Sequence, residues 1–411
     1  MPNPTSKLAT VAAIAAVAVF LLGGCAATAS DASASQEPTG TPAASAPLLD
    51  DALRTQLEAA LDEGFAASGM PGVVVGLWIP GEDEWVSARG VADTETGAPM
   101  SRENQQKIGS ITKTIVSTVV LQVIGDGFDV SLDDTLDRWY PDFPEASKIT
   151  VRMLLNHSSG VAEAGRAQVD RICAAPHAIP SPDQLIAVSA QTPRADFAPG
   201  EGFEYANGNY FLLGGILEQV TGENLETLIH DRITEPFGMD RSRYALDGMV
   251  VDPVTHGYSL FCPELGDQVD TVGWSNGESG AGGAMVSTLD DLHAWGDALG
   301  AGAGVTPELQ AERYADRAII SEATSSAYGL GTGIVYDAET DCVLSVAHAG
   351  AEPGYGTNVA YYPPSGAVLA LLGNGDGGDG DAAAKVTTAL TTVLWPVLAG
   401  SPNAPCEAPW G

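Results

Sequence analysis

Two residues at the start of a predicted helix, Ser110 and Lys113, have the types and spacing needed for nucleophilic chemistry. Residues 110–125 have helical length, and their only charged side chain is that of Lys113. Residues three apart share a face of a helix, so the hydroxyl and the amine can come within hydrogen-bonding distance. Burial lowers the pKa of a lysine, and a neutral amine can accept the proton of serine, which is otherwise a weak nucleophile. The pair therefore predicts an activated serine.

Gly109, which precedes the serine, leaves room for a turn into the helix. A serine at a helix start lies near unpaired backbone N–H groups and the positive end of the helix dipole, both of which stabilise an oxyanion. The alternative is that Ser110, Lys113, Thr114 and Ser117 form the polar stripe of an ordinary amphipathic helix. A Ser-x-x-Lys pair also arises by chance, so the interpretation needs support from other residues.

A second candidate pair, Tyr205 and Asn207, follows a turn at residues 197–202 that is rich in glycine and proline. In an extended segment, residues two apart point the same way. The phenol could then move a proton, and the amide could hold Lys113 or a substrate carbonyl. The alternative is a buried core tyrosine with an asparagine that caps the following helix.

The third group is His348, Gly350 and Ala351, at the end of a β-like run that begins at Val343. A histidine on an edge strand could line a cleft, and the glycine would let a substrate backbone approach. The backbone N–H of Ala351 could serve as an oxyanion donor, a role that does not depend on its side chain. A lone histidine is more often structural, so this group also depends on the other two.

Taken together, Ser-Ile-Thr-Lys at 110–113, Tyr-Ala-Asn at 205–207 and His-Ala-Gly at 348–350 resemble the three motifs of the penicillin-recognising serine hydrolases. The closest resemblance is to the branch of class C β-lactamases, D-alanyl-D-alanine carboxypeptidases, D-aminopeptidases and related esterases, and within it to secreted actinobacterial carboxypeptidases. The resemblance runs from about residue 50 to 400 and includes residues 149–160, 198–221, 280–291 and 348–363.

The resemblance implies an acyl-enzyme mechanism without a metal or cofactor, acting on a D-alanyl-D-alanine peptide or a β-lactam. His157, in the segment 149–160, is expected to be structural. The implied roles are nucleophile for Ser110, proton transfer for Lys113 and Tyr205, substrate binding and polarisation for Asn207 and His348, close substrate approach at Gly350, and oxyanion donation by the N–H groups of Ser110 and Ala351.

The sequence departs from the carboxypeptidase pattern where such enzymes bind a terminal carboxylate. Ala349 and Ala351 occupy positions at which carboxypeptidases have hydroxyls, and no Arg or Lys lies between Tyr328 and Ala347. Each missing charge-assisted hydrogen bond is worth roughly 1.5–3 kcal/mol. An esterase or a D-amino-acid amidase of the same family is therefore the alternative activity. From another class, a catalytically inactive lipoprotein that senses peptidoglycan remains open.

The elements that must position these residues form an α/β (α+β) arrangement with a β-lactamase-like fold. Strand patterns occur at both ends of the chain, and helical patterns fill residues 110–300. We therefore expect one antiparallel sheet, completed by both termini and flanked by terminal helices, with an inserted all-helical lobe. The expected α/β lobe is about 48–105 and 300–400, the helical lobe about 106–299, and the whole domain 48–400.

The N-terminus predicts export. Lys7 precedes an apolar run that ends in Leu-Gly-Gly-Cys at 22–25, so residues 1–24 are interpreted as a lipoprotein signal and Cys25 as the lipidated residue. The alternative is an ordinary signal cut after residues 27–29. Residues 25–47 lack the apolar residues of a folded core and predict a disordered tether. The protein is expected at the outer face of the cell membrane, held there only by its lipid anchor, or else secreted.

The net charge of −35 excludes nucleic acid as a partner, because such a field repels phosphate. A small peptide, β-lactam or ester is the expected ligand, and a monomer the expected state. Four cysteines remain after Cys25, and an oxidising compartment predicts two disulfides in one of three pairings. The family resemblance implies Cys342–Cys406, which leaves Cys173–Cys262, and residues 401–411 form a C-terminal tail.

Overall fold

The computed structural model describes residues 48–302, 304–377 and 380–398. The predicted signal, tether and C-terminal tail, together with Cys25 and Cys406, lie outside the described residues. Within the described ranges, no helix combines the length and the apolar character needed to cross a bilayer.

An eight-stranded antiparallel sheet forms the base of the molecule, in the order β2-β1-β13-β12-β11-β10-β9-β8. As predicted, the two ends of the chain complete it, because β1 pairs with β13. The strands β1 and β13 have the near-continuous apolar sequences GVVVGLW and AVLALLG, which suit strands covered on both faces. In chain order the strands are β1 Gly72–Trp78, β2 Trp85–Gly90, β3 Gln106–Lys107, β4 Arg243–Tyr244, β5 Tyr258–Ser259, β6 Val269–Asp270, β7 Met285–Ser287, β8 Ala318–Ser321, β9 Ser326–Tyr328, β10 Gly333–Tyr336, β11 Val343–Glu352, β12 Tyr355–Tyr362 and β13 Ala367–Gly373.

Helices cover both faces of this sheet and fill the middle of the chain. Asp50 caps the first helix by accepting a hydrogen bond from the Leu53 N–H, and Gly69 ends it in a left-handed conformation. In chain order the helices are α1 Asp51–Ser68, α2 Thr112–Gly125, α3 Val151–Leu155, α4 Arg166–Ala174, α5 Pro182–Gln191, α6 Asn207–Thr221, α7 Leu225–Ile229, α8 Gly280–Gly283, α9 Leu289–Ala301, α10 Pro307–Ala315 and α11 Ala382–Leu398.

The terminal helices α1 and α11 pack against each other over one face of the sheet. Their buried leucines, such as Leu57 and Leu390, belong to one apolar cluster with β1 and β13. At Gly64 the helices approach so closely that a Cβ atom would lie 2.8 Å from the Cα of Val386. The predicted antiparallel sheet flanked by terminal helices is confirmed.

The middle of the chain is not all-helical as expected. Strands β3, β7 and β4 form a small antiparallel sheet there, in which Lys107 pairs with Val286, and β5 and β6 form a hairpin. In addition, α9 packs over the second face of the main sheet, where Gly296 lies against Val368. Because α9 is needed to cover apolar strands, it belongs with the sheet although it comes from the middle of the chain.

The predicted disulfide between Cys173 and Cys262 is confirmed, with Cα atoms 5.6 Å apart. It joins α4 to the segment that follows β5. The buried carboxylate of Asp376 holds the start of the same segment, accepting hydrogen bonds from the Ser259 hydroxyl at 2.5 Å and from the Leu260 N–H at 3.1 Å. The Cys342–Cys406 disulfide stays a prediction, since Cys406 lies outside the described residues.

Candidate active site

The nucleophile candidate Ser110 lies in a 3-10 turn, Gly109–Ile111, that leads directly into α2. Gly109 adopts a left-handed conformation with φ of 51°. A Cβ atom at this position would lie 2.7 Å from the backbone nitrogen of Ala351 on β11. The glycine therefore meets two requirements, the turn and the close approach of the strand. This geometry places the predicted oxyanion donor Ala351 beside the residue that precedes the nucleophile.

The amine of Lys113 is fully buried and makes three contacts. Its Nζ lies 2.6 Å from Asn207 Oδ1, 2.7 Å from the carbonyl oxygen of Gly282 and 3.0 Å from Ser110 Oγ. The first two oxygens can only accept hydrogen bonds, so a neutral amine donates both of its N–H groups to them. The nitrogen lone pair is then directed to the serine, whose hydroxyl can donate. The geometry is that of a base placed to take the Ser110 proton.

The electrostatics of the site favour this neutral amine. Burial lowers the pKa of Lys113 from 10.5 to about 7, although the carboxylates of Glu163 and Glu352 act in the opposite direction. A base with a pKa close to neutral pH combines a useful neutral fraction with useful basicity. The expectation that Lys113 is buried and perturbed, drawn from the single charge on its helix, agrees with this arrangement.

Tyr205 lies beside both Ser110 and Lys113. Its phenol hydrogen bonds with Ser110, and its ring centre lies 4.8 Å from Lys113 Nζ. Burial raises the pKa of this phenol well above 10, so Tyr205 keeps its proton at neutral pH. It is therefore placed to pass a proton to or from the serine oxygen rather than to act as the first base.

The ring of His157 packs against the ring of Tyr205, with ring centres 4.4 Å apart. Its Nδ1 accepts a hydrogen bond of 3.2 Å from the Ala206 N–H, which fixes the backbone between the tyrosine and Asn207. Burial lowers the pKa of the imidazole well below 6.5, so the ring is neutral. These contacts agree with the structural role expected for His157.

Asn207 is the first residue of α6. The Glu163 carboxylate accepts a hydrogen bond of 2.6 Å from its backbone N–H, and Gln168 on α4 accepts one of 3.2 Å from its Nδ2. The amide is thereby oriented with Oδ1 towards Lys113. The structure thus brings together Ser110, Lys113, Tyr205 and Asn207, as the first two motifs predict.

His348 makes contacts within the protein through both ring nitrogens. Its Nδ1 lies 2.6 Å from the Ala349 carbonyl oxygen, so this nitrogen carries the proton and donates it. Its Nε2 is then an acceptor, 2.8 Å from the Tyr328 hydroxyl. Burial, and next the charge of Lys113, lower the pKa of His348 to about 3. The ring is therefore neutral, and its contacts position Tyr328. The role of His348 in binding and polarising a substrate stays a prediction.

Gly350 differs from the prediction that it admits a substrate backbone. A Cβ atom there would lie 1.9 Å from the Ile108 carbonyl oxygen and 2.3 Å from Thr357 Oγ1. The backbone that precedes Ser110 therefore leaves no room for a side chain at position 350. The reason is steric, because β11 must pass against that turn. The role of the Ala351 N–H as an oxyanion donor stays a prediction.

Several residues of the site were not identified from the sequence. Glu352 was open to detection, because it alternates with His348 and Gly350 on one face of β11. The others carry no local signal, since they reach the site through loops or long-range packing: Glu163, Gln168, Gly282 and Tyr328.

Comparison with known proteins agrees with this geometry. The family model described as Beta-lactamase matches residues 55–392. The chain belongs to this family. It is a serine hydrolase of β-lactamase fold, and the predicted resemblance to the penicillin-recognising serine hydrolases is confirmed. The solved penicillin binding protein from Bacillus halodurans shares the fold, with 19% identity over 81% of this chain and 99% of that chain and a TM-score of 0.69.

Relatives within the family are named for different activities. A D-aminopeptidase from Brucella anthropi is 28% identical over 77% of this chain, and the match spans 58% of that protein's length. Esterase EstB from Burkholderia gladioli is 27% identical over 68% of this chain and 79% of its own. A solved D-stereospecific amidohydrolase from Streptomyces sp. has 28% identity and a TM-score of 0.71, covering 82% of this chain and 98% of that one.

Proposed function

We propose that this protein hydrolyses small amides or peptides with a D-amino acid on the acyl side, through an acyl-enzyme on Ser110. The observation that carries the proposal is the set of three Lys113 contacts, which leaves the lone pair of its amine directed at Ser110 Oγ. Lys113 takes the hydroxyl proton while Ser110 Oγ bonds to the substrate carbonyl carbon. The proton then passes to the departing nitrogen through Lys113 or Tyr205, and the C–N bond breaks.

Water completes the cycle by the reverse proton path. A water molecule gives a proton to the neutral amine of Lys113, directly or relayed through the Tyr205 hydroxyl, as its oxygen attacks the acyl carbon, and the serine oxygen leaves and regains that proton. The products are the free acid, the released amine and the unchanged enzyme. Every group named in this path lies within the cluster of hydrogen bonds around Ser110.

The choice of substrate class depends on whether the site could bind the terminal carboxylate of a substrate. Ala349 and Ala351 supply no hydroxyl, and His348 is neutral with both ring nitrogens engaged. A free carboxylate would therefore be desolvated here without a charged partner, which is unfavourable. An uncharged amide or ester avoids this cost. We therefore place D-alanyl-D-alanine carboxypeptidase activity behind amidase activity, and the D-aminopeptidase and D-stereospecific amidohydrolase relatives support this order.

A carboxylic esterase is the second candidate. It uses the same nucleophile and base, and it too needs no carboxylate pocket. The relationship to Esterase EstB favours it. The inactive peptidoglycan-sensing lipoprotein is the candidate from another class, and the assembled Ser110, Lys113 and Tyr205 argue against it.

We also propose that the protein acts outside the cytoplasm as a lipoprotein anchored through Cys25. The disulfide between Cys173 and Cys262 supports this proposal, because such bonds persist in oxidising compartments. Metabolic labelling with a radioactive fatty acid tests it: wild-type protein is expected to incorporate label, and Cys25→Ser is not. Label on both proteins, or on neither, would contradict the lipoprotein proposal.

The test of activity is a substrate panel assayed on purified wild type and Ser110→Ala. The panel contains D-alanine amide, L-alanine amide, p-nitrophenyl acetate, D-alanyl-D-alanine and a penicillin. The proposal expects turnover of the D-amide well above the L-amide and little release from D-alanyl-D-alanine. Turnover of the ester alone would favour the esterase, and dominant release from D-alanyl-D-alanine would favour the carboxypeptidase. Turnover that survives in Ser110→Ala would refute the mechanism.

A further inference from the structure

Glu352 is a buried acid that the mechanism so far does not use. It is the last residue of β11 and lies on the same strand face as His348 and Gly350. Only 6% of its surface is exposed, although carboxylates are rarely buried without a specific partner. The position is close to the chemistry, because the same strand runs past Gly109 at Ala351.

Only glycine backbone separates Glu352 from the base. A Cβ atom at Gly283 would lie 2.7 Å from Glu352 Oε1. A Cβ atom at the preceding Gly282 would lie 3.3 Å from Lys113 Nζ, and the carbonyl of Gly282 accepts a hydrogen bond from that amine. The amine and the carboxylate therefore contact two neighbouring glycines of α8. Ser279, at the start of this helix, also hydrogen bonds to the carboxylate.

A second buried lysine completes the arrangement. Lys107 Nζ donates to the Trp274 carbonyl oxygen at 2.7 Å and lies 5.7 Å from the centre of the Tyr355 ring. Tyr355 pairs with Glu352 across the turn between β11 and β12. The carboxylate thus interacts electrostatically with two buried amines, one from β3 and one from α2.

The charges of this cluster support a link to the base. Burial raises the pKa of Glu352 to about 7, while Ser279, Lys107 and Lys113 favour its ionised form. Burial lowers the pKa of Lys107 to about 8, and Glu352 acts against that shift. Among the described residues, the titratable groups that face Lys113 from the surrounding elements are Glu352 and His348 on β11, Glu163 before α4, His157 after α3, Tyr205 before α6 and Tyr210 on α6.

We propose that Glu352 is a positioning residue for Lys113. Its carboxylate holds α8, and with it the Gly282 carbonyl, against the amine. It also stabilises the ammonium ion that forms when Lys113 takes the Ser110 proton. This inference rests on the proposed function of Lys113 as the base. It adds the carboxylate that limits how far burial lowers the pKa of that lysine.

The experiment is the pH dependence of kcat/KM for p-nitrophenyl acetate between pH 5 and 9, measured on wild type and Glu352→Gln. Glutamine keeps the shape of the side chain and removes its charge. Without that charge the ammonium form of Lys113 is less stable, and its pKa falls. We therefore expect the acid limb of the kcat/KM profile, where activity rises with pH, to move about one pH unit lower. The plateau rate should fall about tenfold, because a weaker base accepts the serine proton less readily.

Asp291→Asn is the matched control. Asp291 is also a buried carboxylate, but its partners are the Ser242 hydroxyl and the Arg241 backbone N–H rather than groups of the site. The acid limb of the kcat/KM profile of Asp291→Asn should coincide with that of wild type. Ser279→Ala is a second, milder variant, because it removes a hydrogen bond that stabilises the ionised form of Glu352. The acid limb of its kcat/KM profile should move in the same direction as that of Glu352→Gln, by a smaller amount.

The results separate the two proposals. If wild type is active and the acid limb of Glu352→Gln coincides with that of wild type, the role of Glu352 is refuted even if the rate falls. If Glu352→Gln does not fold, an unchanged limb in Ser279→Ala refutes it. If wild-type Ser110 is not acylated by any substrate of the panel, the proposed function itself fails.

Discussion

The buried amine of Lys113 makes a quantitative prediction about stability. The pKa of this group is 10.5 in an exposed lysine and falls to about 7 in the folded protein. Between these values the unfolded chain binds more protons than the folded one, so stability rises with pH through that window. Replacing Lys113 with methionine, which has a similar shape and no charge, should remove this dependence.

The magnitude follows from about 1.4 kcal/mol for each pKa unit. At pH 6 the folded state holds a charged amine at a cost of roughly 5 kcal/mol. At pH 9 the amine is neutral in the fold, and only the cost of deprotonating it remains, roughly 2 kcal/mol. The free energy of unfolding of wild type should therefore gain roughly 3 kcal/mol relative to Lys113→Met between pH 6 and pH 9.

Urea unfolding followed by circular dichroism at pH 6, 7, 8 and 9 measures this difference. Lys148→Met is the matched control, because Lys148 is exposed and pairs with Glu145 at 3.0 Å. Its difference from wild type should stay nearly constant with pH. If the difference for Lys113→Met is equally constant, then Lys113 keeps an ordinary pKa and cannot be the base described above.

Three further predictions concern the same site. Tyr205→Phe should lower kcat by about 10²–10⁴-fold with little change in the unfolding midpoint, because it removes a proton carrier from a buried ring; steady-state kinetics and thermal melts check both. Gly109→Ala should abolish acylation and lower the unfolding free energy by at least about 1–3 kcal/mol, since φ is left-handed and β11 lies within contact; urea unfolding and a mass-spectrometric acylation assay measure these effects. Replacing Cys173 and Cys262 with serine should lower stability by about 2–4 kcal/mol, because the bridge spans 89 residues; urea unfolding of the double variant, with no loss of stability as the contradicting result, tests this.

Local patterns predicted the sheet and its terminal helices well. The apolar residues of α11 recur at helical spacing, and turn residues after Trp78 separate β1 from β2. These elements depend on signals close in sequence, such as caps, turns and alternation. The pairing of β1 with β13 could also be anticipated, because strands at the two ends of a chain must bury their apolar faces together.

The nucleophile and its base were identified for a similar reason. A lone lysine on an otherwise apolar helix has to be buried with partners, and Asn207 and Ser110 are among them. By contrast, the true environments of His348 and Gly350 depend on contacts between distant segments, with Tyr328 and Ile108. No local pattern predicts such contacts, so a motif can show where a residue lies without showing which residues it contacts.

The middle of the chain shows the same limit. Strands β3, β4 and β7 have two or three residues each, too few for an alternating pattern to be recognised. Their register nevertheless matters, because the pairing of Lys107 with Val286 sets where the turn at Ser110 begins. Short strands of this kind are defined by their partners rather than by their own sequences.

The central claim is that Lys113 activates Ser110 for acyl transfer. The most direct measurement is intact-mass spectrometry of the protein quenched during turnover of p-nitrophenyl acetate, with peptide mapping of any adduct. One acetyl group on Ser110 of wild type is expected, with no adduct on Ser110→Ala and strongly slowed labelling of Lys113→Met. Labelling of Ser110→Ala at the wild-type rate, or undiminished labelling of Ser110 in Lys113→Met, would contradict the claim.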